Sequence, residues 1–166
     1  MNKFLNIFIF LSLVLSTTAL VAKDKTKKYK GAFFEVSYPH NFTVKPSIRN
    51  SGGMDAYDSA FFISPDKKVK FYIFSPQWSG DATDIAMDSE KEIEKDVKTE
   101  KNKNEENRWF TYASKVGSKT RSYHEIVSAD KSTVKIFGIE YDDKKSYDKY
   151  KAEYLKFKKS LQQFAD

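Results

Sequence analysis

Ser59 to Pro76 reads SAFFISPDKKVKFYIFSP: an apolar aromatic run closed by Ser-Pro, a short charged interval, then a second such run. Successive strand residues point to opposite faces of a sheet. Here both sets are apolar: Phe61 and Ile63 against Ala60 and Phe62 in the first run, then Val69, Phe71 and Ile73 against Tyr72 and Phe74 in the second. Strands apolar on both faces lie centrally in a covered sheet. Pro65-Asp66-Lys67-Lys68 between them has turn chemistry, so the pair is expected as a central β-hairpin.

Upstream, AFFEVSYP (32–39) sets Phe34, Val36 and Tyr38 on one face and Phe33, Glu35 and Ser37 on the other. FTVKP (42–46) is a second short strand that Pro46 confines to an edge or an end, and SIRNSGGMDAYD (47–58) is a loop. Downstream, SEKEIEKDVKTEKNKNEEN (89–107) carries like charges at Glu90/Glu94, Lys91/Lys95, Glu92/Asp96 and Asp96/Glu100. Such i,i+4 pairs destabilise a helix. As a strand the segment places Ile93, Lys95, Val97 and Thr99 together.

A meander follows in RWFTYAS (108–114), TRSYHEIVS (120–128) and TVKIFGIEY (133–141), with turns at Val116-Gly117-Ser118 and Ala129-Asp130-Lys131. Gly138 inside its last strand marks a bulge or a close helix contact. The period then changes. Tyr147, Tyr150, Tyr154, Phe157, Leu161 and Phe164 draw one stripe down a helix of about five turns, widened by Leu155. A short helix is also open to Thr83–Ser89. Strands first and a closing helix last define an α+β fold: a mainly antiparallel sheet of about six to eight strands covered by a long C-terminal amphipathic helix.

The first 22 residues have one early cation, Lys3, an apolar stretch from Phe4 to Leu15, and small residues ending at Ala19 or Ala22. That is the layout of a secretory signal peptide. The rival is an uncleaved anchor over residues 4–22, the only route to membrane contact; Asn6, Ser12 and Ser16-Thr17-Thr18 count against it. A basic tail at 23–30 (KDKTKKYK) and a single domain at 31–166 complete the chain. The folded part is expected outside the cytoplasm, periplasmic or secreted. Cysteine is absent, which excludes disulfides, thiolate ligands and thiol catalysis.

The 29 Lys+Arg and 23 Asp+Glu are distributed unevenly, with five lysines in 23–30 and ten acids against five lysines in 81–107. Arg49, Arg108 and Arg121 are the only arginines, and no nucleic-acid motif occurs, so the lysines read as solvation and no nucleic-acid partner is expected.

The residues give little catalytic signal. His40 sits in a turn, and His124 lies mid-strand beside a Glu125 that points to the other face. Ser-x-x-Lys occurs at Ser64, Ser128 and Ser146 without the helix-start setting its chemistry needs. There is no zinc spacing and no phosphate-cradling loop, so neither metal nor cofactor is expected. Asp81, Asp84 and Asp88 share one possible helical turn, where capping is preferred to cation binding. The loop QWSGD after the hairpin offers Trp78, Gly80 and Asp81 as a binding site; the plainer reading folds Trp78 over the rim of the core.

GAFFEVSYPHNF (31–42), the two hairpin strands and the closing YDKYKAEYLKFKKSLQQF (147–164) together resemble the PsbP-like fold family. The resemblance implies an antiparallel sheet covered by helices and a non-catalytic accessory role in docking; no functional residue carries over by motif. Three functional readings stand: an exported, non-enzymatic module that binds an unknown protein or small ligand in the envelope or medium; a small extracytoplasmic hydrolase with an unfamiliar carboxylate- or Tyr-centred site, which convergence of His124, Arg121 and an acid in one pocket would favour; and a structural protein tethered by residues 4–22.

Overall fold

Thr26–Lys30 (β1), Phe34–Pro39 (β2), Thr43–Pro46 (β3), Ser59–Ile63 (β4), Val69–Phe74 (β5), Glu92–Lys101 (β6), Glu105–Ser114 (β7), Thr120–Ser128 (β8), Val134–Tyr141 (β9), the helix Lys144–Lys159 (α1) and Gln162–Gln163 (β10) follow one another along residues 25–164, the part of the chain that the computed structural model describes. The leader expected at 1–22 lies outside the described residues. The strands form two antiparallel sheets rather than one. The larger runs β3-β4-β5-β9-β8-β7-β6 and the smaller runs β1-β2-β10. The α+β architecture is as expected, and the two runs of 59–76 form its inner hairpin, with β4 and β5 flanked by β3 and β9.

One face of the large sheet carries Ala60, Phe62, Val69, Phe71, Ile73, Phe137 and Ile139, packed against Phe34, Val36 and Tyr38 of β2 and Tyr150, Tyr154 and Phe157 of α1. Phe157 is 5.0 Å from Phe62 and 5.5 Å from Phe71 between ring centroids. Spacings of this kind let aromatic rings meet tilted or edge-on. The opposite face gathers Tyr72, Phe74, Phe110, Tyr123, Val134 and Ile136 under Ile85. Ile85 belongs to a single 3-10 turn, Thr83–Ile85, shorter than the helix allowed for at Thr83–Ser89. The chain there is held by hydrogen bonds to the sheet: Tyr72 and Ser59 both donate to the Asp84 carboxylate, at 2.6 and 2.7 Å.

Four local expectations need correcting. Thr26–Lys30 is a strand and not a tail, because Tyr29 turns inward onto Phe62 and Phe34 while the lysines remain outside. The helix ends at Lys159: Ser160 Oγ donates back to the Phe157 carbonyl and accepts from Ser37 N, and the chain leaves as β10 alongside β2. Leu161 and Phe164 are therefore not helical, and Leu155 is 46% exposed. In β6 the register slips between Lys95 and Lys98, with Asp96 at φ 54°. This bulge breaks the expected face: Ile93 and Lys95 continue into Lys98 and not into Val97, which is 51% exposed.

Gly138 is the fourth. Its pairing is continuous with Tyr72 on one side and Tyr123 on the other, so there is no bulge, and the helix lies on the far face. The Tyr123 ring covers it; a Cβ there would sit 2.5 Å from Tyr123 Cε1 and 3.1 Å from Tyr72 Cβ. That ring has little freedom to move, since it is buried and its hydroxyl accepts from Arg121 Nη1 at 3.1 Å. Gly138→Ala is expected to destabilise the domain by about 1–3 kcal/mol through overpacking, read as a lower urea midpoint at unchanged m-value. An unchanged midpoint would show that the ring is not fixed.

Candidate binding groove beside the helix

The pairing registers align Ala60, Ile73, Phe137, His124, Trp109 and Lys98 in one row across the sheet. Directly opposed residues of antiparallel strands share a face and touch. The row is buried as far as Phe137, half-buried at His124 and Trp109, and exposed at Lys98. The cause is the reach of α1, which contacts β2, β9 and β5. Where it stops, a groove of roughly 190 Å3 opens between its flank and the sheet, walled by Trp109, Tyr141, Tyr147 and Tyr154, with His124 and Lys158 among its lining residues.

His124 stacks on Trp109 with ring centroids 4.6 Å apart and an interplanar angle of 8°. Its protonation follows from its neighbours. Glu105 Oε1 accepts from Asn107 Nδ2 at 2.9 Å, which turns the Asn107 carbonyl oxygen toward His124 Nε2, 2.8 Å away. An amide oxygen only accepts, so Nε2 carries the proton and Nδ1 keeps its lone pair. Lys158 Nζ, a donor, lies 3.1 Å from that Nδ1. A carboxylate, an amide, an imidazole and an amine thus form one chain that joins β7, β8 and α1.

Burial, then the neighbouring Lys158 cation, pushes the His124 imidazole down to about 4, so the ring is neutral at pH 7. Burial also lowers the Lys158 ammonium below the usual lysine range. Its Nζ lies 5.4 Å from the Phe137 ring centroid and 5.8 Å from that of Tyr154.

The other candidates are scattered. Trp78 is half-buried, edge-to-face on Phe33 at 5.3 Å, and a Cβ on Gly52 would approach it to 3.3 Å. Gly80 and Asp81 beside it are exposed. The nearby cavity is lined by Phe33, Pro76, Gln77, Thr133, Gln163 and Phe164. Asp81, Asp84 and Asp88 do not converge: Asp84 accepts from Tyr72 and Ser59, while Asp88 accepts from Lys91 Nζ and Glu90 N. His40 is exposed in its turn.

Arg121 lies on the opposite face from His124. Its guanidinium pairs with Glu92, donates to the Ile85 and Ala86 carbonyls, and so clamps the linker onto the sheet. The same contact holds the Glu92 carboxyl below the ordinary glutamate range. The constellation of His124, Arg121 and an acid expected for a hydrolase is not formed.

Sequence reasoning missed Asn107 and Lys158. The observed register opposes Trp109 to His124 and places Asn107 diagonal to the ring, a pairing that the turn at Val116-Gly117-Ser118 does not specify. Lys158, four residues beyond Tyr154, sits on the margin of the aromatic stripe, where it reads as a solvating lysine.

The architecture resembles that of PsbP. The solution structure of cyanobacterial PsbP (CyanoP) from Synechocystis matches with a TM-score of 0.50 and 12% identity, over 90% of this chain and 99% of that one. A crystal structure from Bacteroides thetaiotaomicron matches with a TM-score of 0.45 and 14% identity, over 86% of this chain and 49% of that one. The expected resemblance to the PsbP-like fold thus holds at the level of fold. No family model matches the chain, and neither does any curated protein.

Because the folded His124 binds its proton near pH 4 and an unfolded histidine near 6.5, the unfolded state holds more protons between those values. Stability therefore rises with pH through that window, complete above about 6.5. The contribution is roughly 1–2 kcal/mol once the partial exposure of the ring is discounted. A proton NMR titration of His124 Cε1–H is expected to inflect near 4, and Lys158→Met, which removes the adjacent cation, to move the inflection upward. An inflection near 6.5 in the unaltered protein would contradict the relay.

Proposed function

We propose that this is an exported, non-catalytic accessory protein that takes a ligand or partner outside the cytoplasm, with the groove beside α1 as its binding site. Export is supported by the leader-like residues 1–22. Among the described residues, no helix is long and apolar enough to cross a membrane.

The observation that carries the binding assignment is the groove's composition. Aromatic walls and a few convergent polar groups are the usual make-up of a small-ligand site, and here they meet where the helix leaves the sheet uncovered. The resemblance to PsbP supports the architecture; the assignment of this groove rests on its own residues. The Trp78 loop offers one aromatic ring already engaged by Phe33, and so fewer free groups for recognition.

Mass spectrometry of the protein recovered from its own cells should find a mature N-terminus at Leu20 or Lys23. Under native conditions the same sample should carry a bound mass that Trp109→Ala loses and Trp78→Phe keeps. An intact leader in the membrane fraction would contradict export, and a bound mass lost only with Trp78 would move the site to the other loop.

A further inference from the structure

Solvation does not account for Lys158, and its contacts with the Phe137 and Tyr154 rings do not account for the aim of its Nζ at His124. A solvating lysine would extend into water, yet Lys158 is partly buried, directed at a neutral imidazole nitrogen 3.1 Å away. No ion pair is formed by it among the described residues of the groove. A bare cation site would need no particular imidazole tautomer, whereas here Glu105 orients Asn107 and Asn107 fixes the His124 proton on Nε2, so that the nitrogen facing the amine is the one with the lone pair. Nucleophile, base within hydrogen-bond reach, and a third group orienting the base is the arrangement by which side chains are activated for addition to carbonyls.

We propose that Lys158 is a carbonyl-capturing amine: the groove takes a small aldehyde or ketone with an aromatic or apolar body and holds it as an imine on Nζ. The inference rests on the groove being the binding site. Trp109, Tyr141 and Tyr147 supply flat apolar walls for the body of such a ligand. Burial lowers the Lys158 ammonium below the usual lysine range, the direction that favours release of the free amine needed for addition.

The chemistry balances without any redox partner. The Nζ lone pair adds to the carbonyl carbon, forming a C–N bond while the carbonyl π electrons move to oxygen, which takes up a proton from solvent. The nitrogen passes a proton to His124 Nδ1. That proton returns to the carbinolamine hydroxyl, which leaves as water while the nitrogen lone pair forms C=N. The resulting cationic imine nitrogen loses its remaining proton to solvent. One amine and one carbonyl give one imine and one water, and hydrolysis reverses the sequence, so the site captures and releases.

Limiting benzaldehyde is added to the purified protein at pH 7 with cyanoborohydride to trap imines, and labelled lysines are mapped by peptide mass spectrometry. Benzoate, which has the ring and a charge but no electrophilic carbonyl, is titrated separately against Trp109 fluorescence in a Trp78→Phe background. The expected result is a single dominant adduct on Lys158, formed at least about tenfold faster than on surface lysines, and a comparable loss of that advantage in His124→Asn. Competition among the lysines of the unaltered protein decides the matter even if that variant fails to fold. Labelling spread evenly over surface lysines overturns the inference. If benzoate still quenches Trp109, the groove stands as a binding site and only the covalent step falls; if it does not, this groove assignment loses support as well.

Discussion

One helix has to cover a sheet seven strands wide, and it is too narrow to do so. Seven strands at the usual spacing span about 29 Å, whereas a helix with its side chains is about 10–12 Å across. With β2 beside it, α1 closes the half of the face that holds Phe62, Phe71, Ile73 and Phe137. The remaining half must end its core within the sheet itself. It does so along one cross-strand row, passing from Phe137 through His124 and Trp109 to Lys98.

The two faces solve their covering problem differently. On the face away from the helix, the segment between β5 and β6 is drawn down by Arg121, Tyr72 and Ser59, whose donors meet Glu92, Asp84 and two carbonyls. That network is satisfied within the fold, which leaves its polar groups little to offer a ligand. On the helix side, the polar chain from Glu105 to Lys158 finishes in a groove. The Lys158 amine and the aromatic walls Trp109, Tyr141, Tyr147 and Tyr154 line that groove.

Much of the fold is legible in the sequence because strand periodicity and turn residues are local. The hairpin of 59–76, Pro46 at an edge, the strand at β6 despite its charge, and the meander all follow from neighbours a few positions apart. What was not legible depends on distant partners. Ser160 ends the helix because Ser37, far back in β2, donates to its hydroxyl. Asp66 at the hairpin tip is more than turn chemistry, since Lys149 and Tyr150 of α1 both donate to it. Gly138 needs the Tyr123 ring to explain it. The groove was hidden for the same reason: His124 was visible by itself, and only the register and the helix position unite it with Trp109, Asn107 and Lys158.

The hydrogen-bond chain from Glu105 fixes His124 as a neutral imidazole whose lone-pair nitrogen faces Lys158. Nitrogen-15 chemical shifts of the imidazole at pH 7 test it directly, because protonated and lone-pair ring nitrogens resonate far apart. The account predicts a single tautomer, with Nε2 protonated and Nδ1 bearing the lone pair, and a further shift of Nδ1 when Lys158 is replaced by methionine. Averaged shifts from exchanging tautomers, or a proton on Nδ1, would contradict it.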